Sequence, residues 1–486
     1  MSKAELVLVP TPGAGHLISA VEFAKLIIKH DEQISILVII FHMPIHSSTT
    51  VDTYIKSQSN AIDPNRITFL TLPSLSDSEL PDPASSNFFH DTVVLQKPLI
   101  TKAINDRSTK PAVFVFDLMC VNLIDLAKEF QVPSYVYFTA GASLLTLMFH
   151  FQALFDDHGI DIATAYSNSD DSELNLPGFK NRVPAKVLPS LMFDKESGCS
   201  AFFNDLTRKF RECKGILVNT FMELEPGIIK SLQEQDKTPD VYPVGPILAL
   251  HENNHGDCRE NDRDAIMQWL DDQPDSSVVF LCFGSMGSFE EEQVKEIANG
   301  LDRSGHRFLW ALRRPVSDNS YVLPSEKETF EDALPTGFLD RTGHRGKIIG
   351  WAPQVQVLAH RAVGGFVSHC GWNSILEGLW FGVPIATWPM YSEQQVNAFE
   401  MVKEFELAVE VRMDYQRNLM KTSANFVVTA EEVENSIKKL MSMDDAMRGR
   451  IQEMKNISRK VLESGGSSHN SLTRFISTIL ENVGHQ

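Results

Sequence analysis

Two α/β domains, each built on a parallel sheet of Rossmann type and facing each other across a cleft, are predicted by three observations. Strand-like apolar runs alternate with helix-like periodic segments from the start of the chain. A second series with the same rhythm begins near residue 278. A polar stretch, 251–264, rich in Asn, Asp and Glu, lies between the two. Parallel strands need a crossover between them, so βαβ alternation is how such a sheet reads in one dimension. The 486 residues also exceed one ordinary core and suit two large domains at roughly 100–200 residues each.

The elements follow in order. Residues 6–9 are a strand. Residues 16–29 carry Leu17, Ala20, Val21, Ala24 and Ile28 at helical spacing. Residues 34–40 form an apolar run interrupted only by Ser35, as in a strand covered on both faces. Strands at 112–116 and 134–138 flank a helix over 121–130. In the second series, 278–283 is a strand, and Ser288 with Glu291 forms a capping-box pattern that opens a helix to about Arg303. Further strands are expected at 308–312, 347–349, 366–368 and 385–388. No short internal repeat is present. A cleft between two such domains is a favoured ligand site.

Composition narrows the partners. Apolar residues make up 43% and charged residues 22%, an ordinary globular balance. A net charge of −19 would repel a nucleic-acid backbone or an anionic membrane surface, so neither is an expected partner. Six cysteines (Cys120, Cys199, Cys213, Cys258, Cys282, Cys370) form no CxxC pair and read as reduced thiols. The segment 1–5 lacks a basic-then-apolar leader. The apolar run 34–41 is far short of the ~20 residues of a membrane span, so the cytoplasm is the expected location.

Four segments carry chemistry. Pro10-Thr11-Pro12-Gly13-Ala14-Gly15-His16 joins the first strand to the first helix, and such loops line the ligand crevice of an open sheet. At a helix N-terminus the imidazolium of His16 is disfavoured, so the ring is expected to be neutral and able to take a proton. The loop could equally bind a phosphate or merely turn the chain. It is no GxGxxG fingerprint, since Ile18 holds the third glycine position. Asp117 ends a second strand on the same edge. It is either a partner that orients His16 or a cap for the next helix. Phe283-Gly284-Ser285-Met286-Gly287-Ser288 is a glycine–serine turn that could hold a phosphate or simply link strand to helix. The fourth spans Trp351-Ala352-Pro353-Gln354, Ser368-His369-Cys370-Gly371-Trp372-Asn373-Ser374, Glu377 and Ser392-Glu393-Gln394. Its polar groups at βα loops suit a phosphate, its tryptophans a flat ring, and its carboxylates and amides vicinal hydroxyls. Each residue also has an ordinary structural use.

The 44 residues from Trp351 to Gln394 resemble the signature of the plant secondary-product UDP-glycosyltransferases. The likeness extends to the His16 loop, Asp117, Val218-Asn219-Thr220-Phe221, Tyr242-Pro243-Val244-Gly245-Pro246 and Phe283-Gly284-Ser285. It implies the GT-B fold. That divides the chain into an acceptor domain 1–250, a linker 251–264, a UDP-sugar domain 265–466, and a final segment 467–486 whose helix packs back on the first domain. It implies His16 as general base with Asp117 as its partner. Thr139 would touch the sugar. Trp351 would stack on uracil, with the Ala352 main chain and Gln354 on the uridine. Ser285, His369, Asn373 and Ser374 would hold the diphosphate, Glu377 the ribose, and Trp372, Glu393 and Gln394 the sugar. Glu393 departs from the Asp found in many relatives, and Gln394 is the form usual with glucose donors. The implied reaction is inverting transfer of glucose from UDP-glucose to a hydroxyl of a small apolar acceptor, a flavonoid or related phenol. It would proceed in a monomer with no cofactor and no metal. A triterpenoid or hormone-like acceptor, a non-catalytic nucleotide-sugar binder and an NAD-dependent dehydrogenase are the alternatives. Asp262-Arg263-Asp264 spells DxD but falls in the polar linker and reads as a solvated charge run. The acceptor is expected against 87–89, 118–120, 141–145 and 192–203.

Overall fold

The computed structural model of the chain describes residues 4–43, 48–76, 78–82, 85, 88–166, 172–195, 198–250, 260–315, 331–417 and 424–484. Its strands, in chain order, begin with β1 (Ala4–Val9), β2 (Ile34–Ile40), β3 (Ile67–Thr71), β4 (Val113–Asp117) and β5 (Ser134–Phe138). A short antiparallel pair follows, β6 (Glu173–Leu174) with β7 (Val183–Pro184), then β8 (Gly215–Val218) and β9 (Asp240–Pro243). The later strands are β10 (Val278–Cys282), β11 (Arg307–Ala311), β12 (Gly346–Ile349), β13 (Val363–Ser368), β14 (Ile385–Thr387) and β15 (Ala408–Glu410).

They form two parallel sheets, ordered β3-β2-β1-β4-β5-β8-β9 and β12-β11-β10-β13-β14-β15. The GT-B class is thus the observed one, two doubly wound sheets with helices on their faces. Alternation along each strand feeds two layers. Leu6 and Leu8 of β1 pack with Phe23 on one face, while Val7 and Val9 pack with Phe116 and Leu126 on the other. That two-sided burial explains the nearly unbroken apolar run of β2, buried along its length, and the half-exposed character of the edge strand β3.

Each sheet reverses its winding beside its first strand, between β1 and β4 and between β10 and β13. At such a switch point the loops leaving the two strands diverge to opposite faces and open a crevice at their carboxyl ends. His16, Asp117, Ser285 and His369 stand at or just beyond the carboxyl ends of β1, β4, β10 and β13.

Some expected elements differ in detail. Residues 121–130 are not one helix. A 3₁₀ segment, Leu118–Leu123, precedes a short helix, Asp125–Glu129. The helix Glu291–Ser304 starts later than the capping-box pattern places it: Glu290, not Ser288, holds the cap position and makes no side-chain cap bond, while the Ser288 hydroxyl accepts from Arg417 at 2.8 Å. The DxD residues lie on the helix Glu260–Asp271 rather than in an extended linker, and Asp264 pairs with Arg263. Of the expected linker, 251–259 lies outside the described residues, as does Cys258. No helix among the described residues is long and apolar enough to cross a membrane.

The last helix, Ser467–Gly484, returns to the first sheet. Phe475 meets Tyr135 edge-on at 4.9 Å and Tyr242 at 5.9 Å, and Ser468 donates to the Gly245 carbonyl at 2.6 Å. Closer to the cleft, the two halves are stitched directly. The Glu404 carboxylate accepts from the Lys180 and Asn181 backbone N–H groups, both at 2.9 Å. Within the first half, Glu225 accepts from the Ala142 and Ser143 N–H groups at 3.0 and 2.9 Å, where the helix Ala142–His158 begins.

Glu400, wholly buried, faces Glu225. Burial, and then the Glu225 charge, push the Glu400 carboxyl well above the usual carboxylate range. Two backbone donors support the negative charge on Glu225, so the proton resides on Glu400. A carboxyl whose folded pKa is raised contributes stability fully below its unfolded value and loses it as pH rises toward the folded one. Glu400→Gln stays neutral at every pH. It is expected to raise the thermal midpoint at pH 8 by roughly 2 °C or more and to have little effect at pH 5. Differential scanning fluorimetry at both pH values checks this, and an equal shift at both would contradict it.

Candidate active site

The first wall of the cleft forms where β1 and β4 end. Gly13, at φ +132, turns the chain from β1 into the helix Ala14–His30, and this left-handed geometry suits glycine. The turn places His16 in the first helical turn, with its Nδ1 3.0 Å from the Asp117 Oδ2. Asp117 is completely buried at the last position of β4. Its other oxygen accepts from the Thr11 hydroxyl at 2.6 Å, and it makes no capping bond to the 3₁₀ segment that follows. Both carboxylate oxygens are therefore committed to the His16 loop. An acceptor at Nδ1 fixes the tautomer with its proton there and leaves Nε2 as the basic nitrogen. Burial pulls the His16 pKa down, but the Asp117 charge and hydrogen bond, helped by Glu393, carry it above the ordinary value. The helix N-terminus thus does not set the balance, as its position alone suggested; the carboxylate does.

His16 lines a cavity of about 380 Å³ between the two halves. Leu118, Met119, Leu144, Met192 and Phe203 supply its apolar wall. These come from three of the four stretches expected to hold the acceptor; Phe88 and Phe89 are not among the lining residues, and 87, 196 and 197 lie outside the described residues. Thr139, which follows β5 in the same half as His16, and Trp372, Asn373 and Glu393 of the other half line the same cavity, so four of the residues expected on the sugar or diphosphate share it with His16. Burial pushes the Glu393 carboxyl up.

The second wall is a glycine-lined cradle. A Cβ on Gly284 (φ +73) would lie 2.5 Å from the His369 Nε2, and one on Gly371 2.6 Å from it, so the ring sits between two backbone segments. Burial and then the Arg313 charge lower the His369 pKa to about 4. The ring is neutral at pH 7 and acts as a hydrogen-bonding group, not a cation. Beside it, the Gln354 amide donates to the Ser374 hydroxyl at 2.8 Å and to Glu377 at 2.7 Å. Burial pushes Glu377 up to about 7. Trp351 and the buried Ala352 lie just before Gln354, at the end of β12. Gly284→Ala is expected to displace His369 and to weaken UDP binding by about tenfold. Calorimetric titration with UDP checks this, and unchanged affinity would remove His369 from the diphosphate.

Two residues are held differently from what the sequence suggests. The single N–H of Trp372 is given to the Asn219 carbonyl at 2.7 Å, across the cleft, and its ring lies against Gly141. Any sugar contact from Trp372 must use its ring face or its main chain. The Gln394 side-chain oxygen accepts from the Met390 and Tyr391 N–H groups at 2.9 and 3.1 Å. Its amide group also interacts with the Tyr391 side chain. Sequence reasoning missed Thr11 and Arg313. The only local signal for Arg313 is its place at the carboxyl end of an apolar strand run.

A proton acceptor on one wall and an anion cradle on the other, with an apolar cavity between, suit transfer of a sugar off a nucleoside diphosphate. The class is therefore that of two-domain nucleotide-sugar-dependent transferases. The family model "UDP-glucoronosyl and UDP-glucosyl transferase" matches residues 14–448, and the chain belongs to that family. It is 48% identical to a "UDP-glucose flavonoid 3-O-glucosyltransferase 6" from Fragaria ananassa, covering 99% of each chain. The crystal structure of a UGT transferase from Siraitia grosvenorii in complex with UDP superimposes with TM-score 0.85 at 43% identity, covering 98% of this chain and 100% of that one. Medicago truncatula UGT71G1 complexed with UDP-glucose gives TM-score 0.85 at 39% identity, covering 98% of both.

Proposed function

We propose that the protein moves glucose from UDP-glucose to a hydroxyl of a small, flat, apolar acceptor, a flavonoid or related phenol. The observation that carries this reading is the His16–Asp117 pair at the wall of the apolar cavity, opposite the glycine-lined cradle. His16 Nε2 takes the proton of the acceptor hydroxyl as the oxygen bonds to the anomeric carbon. The bond from that carbon to the UDP oxygen breaks, UDP leaves as the anion, and configuration inverts. Asp117 stabilises the imidazolium. Ser285, His369, Asn373 and Ser374 hold the diphosphate, Trp351 and Gln354 with the Ala352 main chain hold the uridine, and Glu377 holds the ribose. Thr139, Trp372, Glu393 and Gln394 surround the glucose. Polar donors and helix N-terminal amides do the work assigned to a metal in other transferases, so neither metal nor cofactor is invoked.

The Medicago relative holds UDP-glucose and the Fragaria relative is named for flavonoids, which supports both halves of the reading. The cavity, near the lower end of the roughly 300–1,000 Å³ span of ligand pockets, favours a fused-ring phenol over a triterpenoid. A cytoplasmic monomer is the corresponding state in the cell. Liquid chromatography with mass spectrometry, run on UDP-glucose with panels of phenolic and triterpenoid acceptors, tests this. Transfer to triterpenoids alone would replace the acceptor class. Absence of both transfer and UDP release with every acceptor would favour a non-catalytic binder.

A further inference from the structure

Arg313 lies just beyond β11, only 4% exposed, at the edge of the cradle. Its guanidinium donates to the Ser285 carbonyl at 2.6 Å, to the Gly287 carbonyl at 3.1 Å, and to the Gly284 carbonyl. The same group sits over the Trp351 ring, 5.3 Å from its centroid. Its charge also helps hold His369 neutral. One side chain thus touches or biases three parts of the cradle: the loop after β10, the expected uracil platform and the histidine after β13.

We infer that Arg313 is a positioning residue for the donor diphosphate, fixing the 284–287 loop and supplying a permanent positive charge behind it. This rests on the reading of the cleft as a UDP-sugar site. In a trans peptide the C=O of one residue and the N–H of the next point in opposite directions. Drawing the carbonyls of 284, 285 and 287 onto the guanidinium turns the N–H groups of Ser285, Met286 and Ser288 away from it. Ser285 is exposed and Met286 partly so, which leaves their two N–H groups on the open side of the loop, while Ser288 is buried. Successive N–H groups facing one way form an anion-binding nest. A planar fork can hold three carbonyls at once; an ammonium group on a flexible stem cannot hold them in the same plane. Arg313 is also always charged, whereas His369 at about 4 is not. The charge that UDP gains on leaving therefore develops against a fixed cation one peptide layer away, in place of a protonatable one.

The test compares UDP with uridine, which lacks the diphosphate. Affinities are measured by calorimetry on the full-length wild type, Arg313→Lys and Arg313→Met, alongside kcat and the acceptor KM. Arg313→Met is expected to weaken UDP by about tenfold or more and uridine by less than about threefold. kcat should fall in step with UDP affinity, and the acceptor KM should stay within about twofold. Arg313→Lys keeps the charge and the fold but loses the fork, so its UDP-to-uridine affinity ratio should fall by about threefold or more. If Arg313→Met does not fold, the Lys variant decides. Equal weakening of UDP and uridine, or an unchanged ratio in Arg313→Lys, would overturn the inference and leave the functional reading standing. Failure of the wild type to bind UDP would instead remove the functional reading, and this inference with it.

Discussion

Replacing His16 with alanine is expected to abolish glucosyl transfer to hydroxyl acceptors while leaving UDP affinity within about twofold of wild type. The two effects separate because the walls of the cleft are built by different sheets. His16 follows β1 and is hydrogen-bonded to Asp117 of the first wall at 3.0 Å, and across the cleft it interacts electrostatically with Glu393. The cradle is shaped by Gly284, Gly371 and Arg313 beside the second sheet, whose close neighbours are His369 and the 284–287 carbonyls. General-base catalysis contributes typically 10²–10⁴-fold, so a loss of about 10³-fold or more in kcat is the expected size. A single-turnover assay with UDP-glucose and an accepted phenol, read by chromatography, measures it, with calorimetry for UDP in parallel. Turnover near the wild-type rate would move the proton transfer to another group. Glu393, the other titratable side chain on the cavity wall, would be the first to examine.

Local patterns in the sequence revealed the walls of the cleft but not the bonds that tune them. The runs at 6–9 and 112–116 are legible because two-sided burial demands unbroken apolar residues, and parallel strands place their carboxyl ends on one edge. His16 and Asp117 could therefore be paired before any coordinates. The same runs left Asp117 ambiguous between capping and orienting; only its bonds to Thr11 and His16 decide, and these reach across 106 and 101 positions. Ser288 shows the converse failure. Its S-x-x-E spacing is correct for a capping box, yet the helix begins only at Glu291, with Glu290 at the cap position, and the Ser288 hydroxyl accepts from Arg417, 129 positions away. Arg313 and the Glu225–Glu400 pair were invisible for the same reason. A buried charge has no local signature, because what makes it tolerable is supplied by residues remote in the chain.

Asp117→Asn is expected to lower kcat by several orders of magnitude, though by less than the loss of His16, and to shift the acid limb of the pH profile. The carboxylate does two things at once. It accepts the proton on His16 Nδ1, which presents Nε2 as the base, and it stabilises the imidazolium formed in the transition state. An amide can instead donate toward Nδ1, favouring the tautomer whose Nε2 carries the proton and cannot accept another. The Thr11 hydroxyl, 2.6 Å from Oδ1, persists in the variant and holds the new side chain in place, so the loss reflects charge and tautomer more than a collapsed loop. The direction of the pH shift follows from the balance at His16. Burial lowers its pKa, and the Asp117 charge and hydrogen bond outweigh burial. The active form is the neutral ring, so wild-type kcat/KM should rise with pH through a value above the ordinary one for histidine. Without the charge, burial prevails and the limb should move to lower pH even as the plateau falls. A kcat/KM profile from pH 4.5 to 9 for both proteins reads this. A limb that stays in place would mean that it reports a group other than His16, and a limb that moves up would reverse the assigned electrostatics of the pair.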